Sequence, residues 1–228
     1  PRAPLYLASK VWTSTIYEGP KAVQAQLEKT LRALRTDYLD LYCVHWPVPG
    51  KHVDAYLQLE KAKAAGQIRS LGVSNYAVED FDELMERATV TPAINQIEIN
   101  PFLYRRATIE RFERAGVKMQ AYRALRDGKA VDDPTVRAVA DRVGRTPAQV
   151  LGRWCVQKGF IVIAKSTRRE RMAENLAVFD FELSQEDVAQ LDALTTRGAL
   201  QTFEELYRKC VLRDTPDADR AAELVRAH

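Results

Sequence analysis

The fold class of this chain is decided by the stretch Leu39-Asp-Leu-Tyr-Cys-Val-His45. Its first six residues are mostly apolar, as a strand buried on both faces requires, and its last residue is an imidazole suited to chemistry. Five other short apolar runs also lead to a polar or aromatic side chain. Those residues are Lys10, Ser74–Asn75, Gln96, Tyr122 and Lys165–Ser166. The repeated ending predicts that reactive groups collect along one edge of a parallel sheet.

Strands and helices alternate along the chain. The apolar runs predict strands at Leu5–Ala8, Leu39–Val44, Ile68–Val73, Ala93–Ile97, Val117–Ala121 and Ile161–Ala164. A segment with helical periodicity follows each of them. Strands joined by helical crossovers are parallel, so the predicted class is α/β and the predicted architecture is a (β/α)8 TIM barrel.

Local signals mark the ends of several helices. Start signals occur at Pro20, Asp133–Pro134, Thr146–Pro147 and Ser184 with Asp187. Gly66, Gly116 and Gly159 are stop signals, because glycine adopts the left-handed conformation that ends many helices. We assign Tyr56 and Trp154, on helix faces, to the core.

Six strands do not close a β/α barrel. A complete barrel has eight strands in about 250 residues, so about 60–70 residues of the pattern are missing. Pro1 is not an initiator Met and stands close to the first predicted strand. We therefore expect an incomplete barrel that lacks its N-terminal part, with residues 1–228 forming a single domain.

The composition is that of a globular protein. The 228 residues are 46% hydrophobic, and 34 Lys and Arg against 31 Asp and Glu give a net charge of +3. This balance argues against a nucleic-acid binder, and no apolar stretch reaches the roughly 18 residues of a membrane span. The three cysteines, Cys43, Cys155 and Cys210, are expected to be free thiols. We expect a cytoplasmic protein without a metal site.

Lys10 and His45 are the first candidate catalytic pair. At adjacent strand ends, an ammonium could lower the pKa of a neighbour and an imidazole could donate to a substrate oxygen. Each residue alone has a plainer explanation, a solvated lysine or a structural histidine. Their occurrence at neighbouring strand ends favours chemistry.

A candidate anion site lies in the segment Ile163–Asn175. Lys165 and Ser166 precede a helix predicted to begin near Thr167, and Arg171 lies in its first turns. Cations, hydroxyls and helix N–H groups suit a phosphate, while Glu174 and Asn175 could accept from a purine amine. The alternative is a solvated basic turn. A Rossmann or P-loop site is not expected, because neither glycine motif occurs.

Aromatic and amide side chains at strand ends are further candidates. Trp12, Trp46 and Tyr122 could wall a pocket or stack on a flat ring, or could be ordinary core aromatics. Ser74, Asn75 and Gln96 could be ligand-binding groups or simply turn residues.

Four motifs together resemble the aldo-keto reductases, from Leu5 to about Leu194. They are Asp40-Leu-Tyr-Cys-Val-His-Trp-Pro47, Leu71-Gly-Val-Ser-Asn-Tyr76, Asn95-Gln-Ile-Glu-Ile-Asn-Pro101 and Lys165-Ser with Arg171, Glu174-Asn175 and Val178-Phe-Asp-Phe181. The resemblance implies an NADPH-dependent reductase of small carbonyl compounds on a barrel with about six of its eight βα units in this chain. It also implies a monomer when the barrel is complete.

The resemblance also implies a role for each candidate. Lys10 and His45 would belong to the family's Asp-Tyr-Lys-His tetrad, and Trp12 and Trp46 would line the substrate pocket. The remaining residues would bind NADPH. The carboxamide of the nicotinamide would be held by Ser74, Asn75 and Gln96, and Tyr122 would stack on the nicotinamide ring. The 2′-phosphate would be bound by Lys165, Ser166, Thr167 and Arg171. The adenine would be contacted by Glu174 and Asn175.

The chain departs from the family pattern at four places. The tetrad Asp and Tyr lie upstream of every residue present, so the proton would come from a tyrosine outside this chain. Arg123 replaces a small hydroxyl that normally meets the pyrophosphate, and Ala164 replaces a proline. Residues 195–228 form a divergent tail with a helical stripe, formed by Phe203, Leu206, Tyr207, Cys210 and Val211.

Two functions of different class remain. The first is a reductase whose first two strands are not in this sequence. The second is a non-catalytic relative that binds a nucleotide or a protein through an open barrel edge. Because the backbone of the strand predicted at Leu5–Ala8 would be open to pairing, we also expect possible self-association through that edge.

Overall fold

The computed structural model describes residue 2 and residues 5–214. This part of the chain contains six strands: β1 Ala8–Val11, β2 Leu39–Val44, β3 Ile68–Ser74, β4 Ile94–Glu98, β5 Lys118–Tyr122 and β6 Ile161–Val162. They follow one another in the sheet in chain order, and the pairs β1–β2, β2–β3 and β5–β6 are parallel. The α/β class and the parallel sheet of a partial barrel are confirmed.

Helices occupy the connections between the strands. They are α1 Thr13–Tyr17, α2 Pro20–Leu34, α3 His52–Ala64, α4 Val78–Met85, α5 Arg106–Arg114, α6 Pro134–Val143, α7 Pro147–Gln157, α8 Arg169–Leu176, α9 Gln185–Asp192 and α10 Arg197–Leu212. Short 3-10 segments lie at Arg126–Asp132 and Ala177–Phe179. None of the helices in the described residues is long and apolar enough to cross a membrane.

The chain folds into two compact units. The first unit comprises the described residues of Pro1–Asn95, Arg111–Val117 and Phe203–His228, and the second comprises Gln96–Glu110 and Lys118–Thr202. Leu27, Tyr42 and Tyr56 are among the fully buried side chains of the first unit. Val150 and Trp154 belong to the core of the second. The core assignments of Tyr56 and Trp154 are confirmed.

The predicted helix caps are confirmed. The Asp133 carboxylate accepts from the N–H groups of Thr135 and Val136 at the start of α6. Thr146 and Gln149 form a reciprocal capping box before α7. Ser184 and Asp187 do the same before α9. These short-range signals were readable because each donor lies within three residues of its acceptor.

The first strand lies three residues later than predicted. Leu5–Leu7 are not in the strand, because the Leu7 N–H donates to Asp40 Oδ2 over 2.8 Å instead of to a strand backbone. Pairing begins where Ala8 faces Leu41. Lys10 therefore lies inside β1, opposite Cys43. Pairing of β1 with a second molecule stays a prediction.

Two other predicted boundaries are wrong by two residues. Strand β6 ends at Val162 and not at Ala164. Helix α8 begins at Arg169 and not near Thr167, because the Ser166 hydroxyl accepts the Arg168 N–H over 3.1 Å and so closes a turn there. Helix α1 has no counterpart in the sequence prediction. The tail helix is confirmed as α10, with Phe203, Tyr207 and Val211 buried, whereas Leu206 is 45% exposed. Residues 215–228 of the tail lie outside the described residues.

Gly72 is the position in β3 where the strands leave no room for a side chain. A Cβ there would meet Cys43 Sγ at 2.6 Å and Ile94 Cγ1 at 2.9 Å. We expect Gly72→Ala to lower the free energy of unfolding by about 1–3 kcal/mol through overpacking. Urea unfolding followed by circular dichroism measures the change.

Gly198→Ala is the matched control for Gly72→Ala. Gly198 lies in α10, and a Cβ there would have open space around it. This variant should unfold at the wild-type urea concentration or slightly above it, because alanine favours a helix by about 0.5–1 kcal/mol. An unchanged midpoint for Gly72→Ala would show that the sheet can absorb the methyl group.

Candidate active site

The first unit holds Lys10 and His45 on neighbouring strands. Lys10 lies in β1, and His45 follows β2 with its N–H donating to the Val11 carbonyl over 3.1 Å. Burial lowers the pKa of Lys10. Burial, followed by the Lys10 charge, lowers the pKa of His45 to about 4. The His45 imidazole is therefore neutral at pH 7 and keeps one ring N–H to donate.

Two tryptophan rings contact the His45 imidazole. The Trp12 ring meets it edge-on, with centroids 4.7 Å apart, and the Trp46 ring stacks at 6.3 Å. Trp46 also contacts Tyr207 of α10 at 5.8 Å. The structure thus brings both predicted pocket residues to the side of His45. Tyr207 was predicted only as part of a helical stripe, and its hydroxyl donates to the buried Asp80 carboxylate over 2.8 Å.

Ser74 and Asn75 lie beside the same histidine. Both are buried, and the Asn75 side-chain amide donates to the His45 carbonyl over 3.1 Å. Asn75 has a φ of +60°, a left-handed conformation that asparagine tolerates better than most residues. This arrangement is that of a turn residue. The role of Asn75 in binding a ligand stays a prediction. Gln96 belongs to the second unit, where its amide donates to Gln120 Oε1.

The second unit contains a cavity of about 930 Å³. Six of the predicted cofactor residues line it: Tyr122, Lys165, Ser166, Arg171, Glu174 and Asn175. Thr167 and Gln96 are not among its lining residues. The volume lies in the range of natural ligand sites, about 300–1,000 Å³. Residues distant in the sequence therefore meet around a space large enough for a nucleotide.

The charges around the cavity are unevenly paired. Within residues 5–214, no acidic side chain forms an ion pair with the exposed Lys165 or Arg171. Glu174 accepts from the Thr146 hydroxyl, which holds its carboxylate at the wall. Lys165 and Arg171 thus leave positive charge facing the cavity, which suits an anion.

Arg123 has a pairing that sequence reasoning missed. It donates to the buried Glu98 and to Asp127. Neither acidic partner was predicted from the sequence, although Asp127 lies only four positions from Arg123. Glu98 lies 25 positions away, and that distance hides the contact from local patterns.

Several other predictions concern the cysteines and metals. Cys43, Cys155 and Cys210 are free thiols, as predicted. Burial raises the pKa of Cys43 and of Cys155 to about 12. These two thiols are therefore not nucleophiles at pH 7. In the described part of the chain, no group of three His, Cys, Asp or Glu side chains could hold a metal ion.

The low pKa of His45 predicts a pH-dependent stability. The His45 imidazole has a pKa of about 4 in the folded chain and of about 6.5 in the unfolded chain. As the pH falls, His45 is therefore protonated in the unfolded chain first. The contribution of His45 to the free energy of unfolding is present above pH 6.5 and is lost on acidification towards pH 4. Between pH 7 and pH 5 we expect a loss on the order of 2 kcal/mol.

His45→Gln tests this pH dependence, since glutamine keeps a polar side chain that does not titrate. Urea unfolding at pH 7 and pH 5 should show a smaller loss of stability for the variant than for the wild type. Equal losses in the two proteins would mean that His45 titrates near its ordinary value.

Comparisons with known proteins identify relatives of the chain. The family model described as "Aldo/keto reductase family" matches residues 1–196. An uncharacterized oxidoreductase of Bacillus subtilis is 39% identical over 193 residues, which are 85% of this chain and 68% of that protein. A glyoxal reductase of the same organism is 38% identical over 193 residues, 85% of this chain and 69% of that protein.

Solved structures agree with these relatives. The crystal structure of a Gox0644 variant in complex with NADPH has a TM-score of 0.82 and 35% sequence identity. The match covers 85% of this chain and 72% of that one.

Proposed function

The chain belongs to the aldo/keto reductase family, and from that premise we propose that it takes part in the NADPH-dependent reduction of aldehydes or ketones to alcohols. The observation that carries the proposal is the cavity of the second unit. Its wall includes the ring of Tyr122, the cations Lys165 and Arg171 and the acceptors Glu174 and Asn175, which come from separate stretches of sequence. The similar structure that binds NADPH supports the same cofactor here.

The cavity residues fit the adenosine end of NADPH. Lys165 and Arg171 offer charge-assisted hydrogen bonds to a 2′-phosphate, with the Ser166 hydroxyl beside them. Glu174 and Asn175 offer acceptors to the adenine amine. Tyr122, at the end of β5, presents a ring on which the nicotinamide can stack. In this proposal Thr167, Ser74, Asn75 and Gln96 keep the roles that the resemblance implies.

The first unit supplies the proton-handling residues. When bound, NADPH supplies a hydride to the carbonyl carbon. His45, neutral at pH 7, donates its ring N–H to the carbonyl oxygen. The part-buried Lys10 ammonium stabilises a phenolate, which makes a neighbouring phenol more acidic. In this proposal the phenol belongs to the tetrad tyrosine that the resemblance implies, and Trp12 and Trp46 form the apolar wall that positions the substrate.

The test measures NADPH oxidation by the gene product that contains this chain. The reaction is monitored through the loss of NADPH absorbance, with 4-nitrobenzaldehyde or with glyoxal as the substrate. We expect aldehyde-dependent oxidation in at least one of the two reactions. Binding of NADPH without oxidation across a panel of aldehydes and ketones would favour the alternative, a non-catalytic nucleotide- or protein-binding module. Failure to bind NADPH would contradict the proposal.

A further inference from the structure

The Arg123 guanidinium holds two carboxylates of different character. Its Nη1 donates to Glu98 Oε2 over 2.8 Å, and the Glu98 side chain is only 7% exposed. Its Nε and Nη2 both donate to Asp127 Oδ2, over 3.0 Å and 2.6 Å. The Asp127 side chain is 65% exposed. One partner of Arg123 is therefore buried and fixed, whereas the other lies at the surface.

Asp127 occupies the side of Arg123 that an anion would take. The Nε and Nη2 groups form the edge through which a guanidinium binds phosphate oxygens with two parallel hydrogen bonds. Both Arg123 and Asp127 line the cavity of the second unit. An exposed ion pair is worth only about 0–1 kcal/mol, so a ligand can displace Asp127 at small cost.

The backbone around this pair is held in an unusual conformation. Arg123 and Asp127 have φ values of +52° and +58°, a left-handed region that non-glycine residues rarely adopt. The buried Asn100 amide donates to the Arg123 carbonyl over 3.2 Å. Arg123 is thus anchored through its carbonyl and through Glu98, and such strained positions are often found where ligands are clamped.

We propose that Asp127 is a built-in competitor at an anion site formed by Arg123, and that the pyrophosphate of the dinucleotide displaces it. The inference rests on the proposed function. Lys165 and Arg171 are assigned to the 2′-phosphate, and Tyr122, adjacent to Arg123 in sequence, to the nicotinamide. The pyrophosphate joins these two ends of NADPH, so it is the anion that Arg123 can meet. Glu98 stays on Nη1 and keeps the guanidinium in place.

The test compares two ligands by isothermal titration calorimetry. NADPH contains the pyrophosphate, whereas adenosine 2′-monophosphate contains the 2′-phosphate alone. Asp127→Asn should tighten NADPH binding about two- to fivefold, because the competing charge is gone. Arg123→Ala should weaken NADPH binding about tenfold or more, since two charge-assisted hydrogen bonds are lost. Neither variant should change adenosine 2′-monophosphate binding more than about twofold, because that ligand leaves Arg123 uncontacted and exposed charges act weakly at a distance.

Asp132→Asn is the matched control. Asp132 pairs with Arg137 beside the same cavity and is 73% exposed, so the variant makes the same change in net charge. Asp127→Asn should tighten NADPH binding more than Asp132→Asn does. Circular dichroism shows whether Arg123→Ala is folded. If it is not, Asp127→Asn alone tests the proposal.

The outcomes separate the two claims. If the wild type binds NADPH and Asp127→Asn behaves like Asp132→Asn, the competitor is ruled out and the proposed function stands. Equal weakening of both ligands by Arg123→Ala would also overturn the pyrophosphate assignment. If the wild type binds neither ligand, the proposed function fails and this inference fails with it.

Discussion

Replacing Lys10 with methionine should lower the kcat of aldehyde reduction by about 10²- to 10⁴-fold in the gene product that contains this chain, because proton transfer loses its electrostatic support. Methionine fills a similar volume in this part-buried position of β1, so the change removes the charge and keeps the packing. The Lys10 charge already acts on His45, whose pKa it helps to lower. The affinity for NADPH should stay close to that of the wild type.

The pH profile distinguishes this electrostatic role from a structural one. Without the Lys10 ammonium, the proposed proton-donating phenol should have a higher pKa, and the basic limb of the kcat profile should move to higher pH. Lys51→Met, at an exposed position, is the control and should change neither kcat nor the profile. A Lys10→Met enzyme with normal kcat would remove Lys10 from the mechanism.

The second large effect is expected at the phosphate site. Arg171→Ala combined with Lys165→Met should reduce the preference for NADPH over NADH by about 10²-fold or more, because two charge-assisted hydrogen bonds to the 2′-phosphate are lost. The affinity for NADH should hardly change, since NADH has no 2′-phosphate. Dissociation constants for both cofactors, measured by calorimetry at one salt concentration, give the ratio.

Arg168→Ala combined with Arg169→Ala is the matched control for that experiment. These two cations lie in the same basic segment but do not line the cavity. The control should leave the ratio of the two dissociation constants near its wild-type value. An equal fall in both double variants would mean that the whole basic turn attracts anions without a specific site.

The parts of the fold that the sequence predicts best depend on local interactions. Leu39–Val44 has the predicted bounds, and the caps at Asp133 and Thr146 act within three residues. The first strand was misplaced because the Leu7 N–H bonds to Asp40, a partner 33 positions away. A hydrogen bond between distant residues leaves no periodic signal in the sequence.

The candidate site follows the same rule. Tyr122, Lys165 and Ser166 were predicted from strand ends, and Arg171, Glu174 and Asn175 from the helix that follows. The structure places these six residues around one cavity. Thr167 does not line that cavity and lies in the turn that the Ser166 hydroxyl closes before α8 begins at Arg169. The Glu98 partner of Arg123 depends on how the chain folds back, so only the structure shows it, whereas Asp127 lies four positions from Arg123.

The most direct test of the central claim is the position of the 2′-phosphate in a crystal structure of the gene product with NADP+. We expect its oxygens within about 3 Å of the Lys165 ammonium and the Arg171 guanidinium, as charge-assisted hydrogen bonds require. The nicotinamide should lie on the Tyr122 ring. A 2′-phosphate bound away from Lys165 and Arg171 would contradict the account.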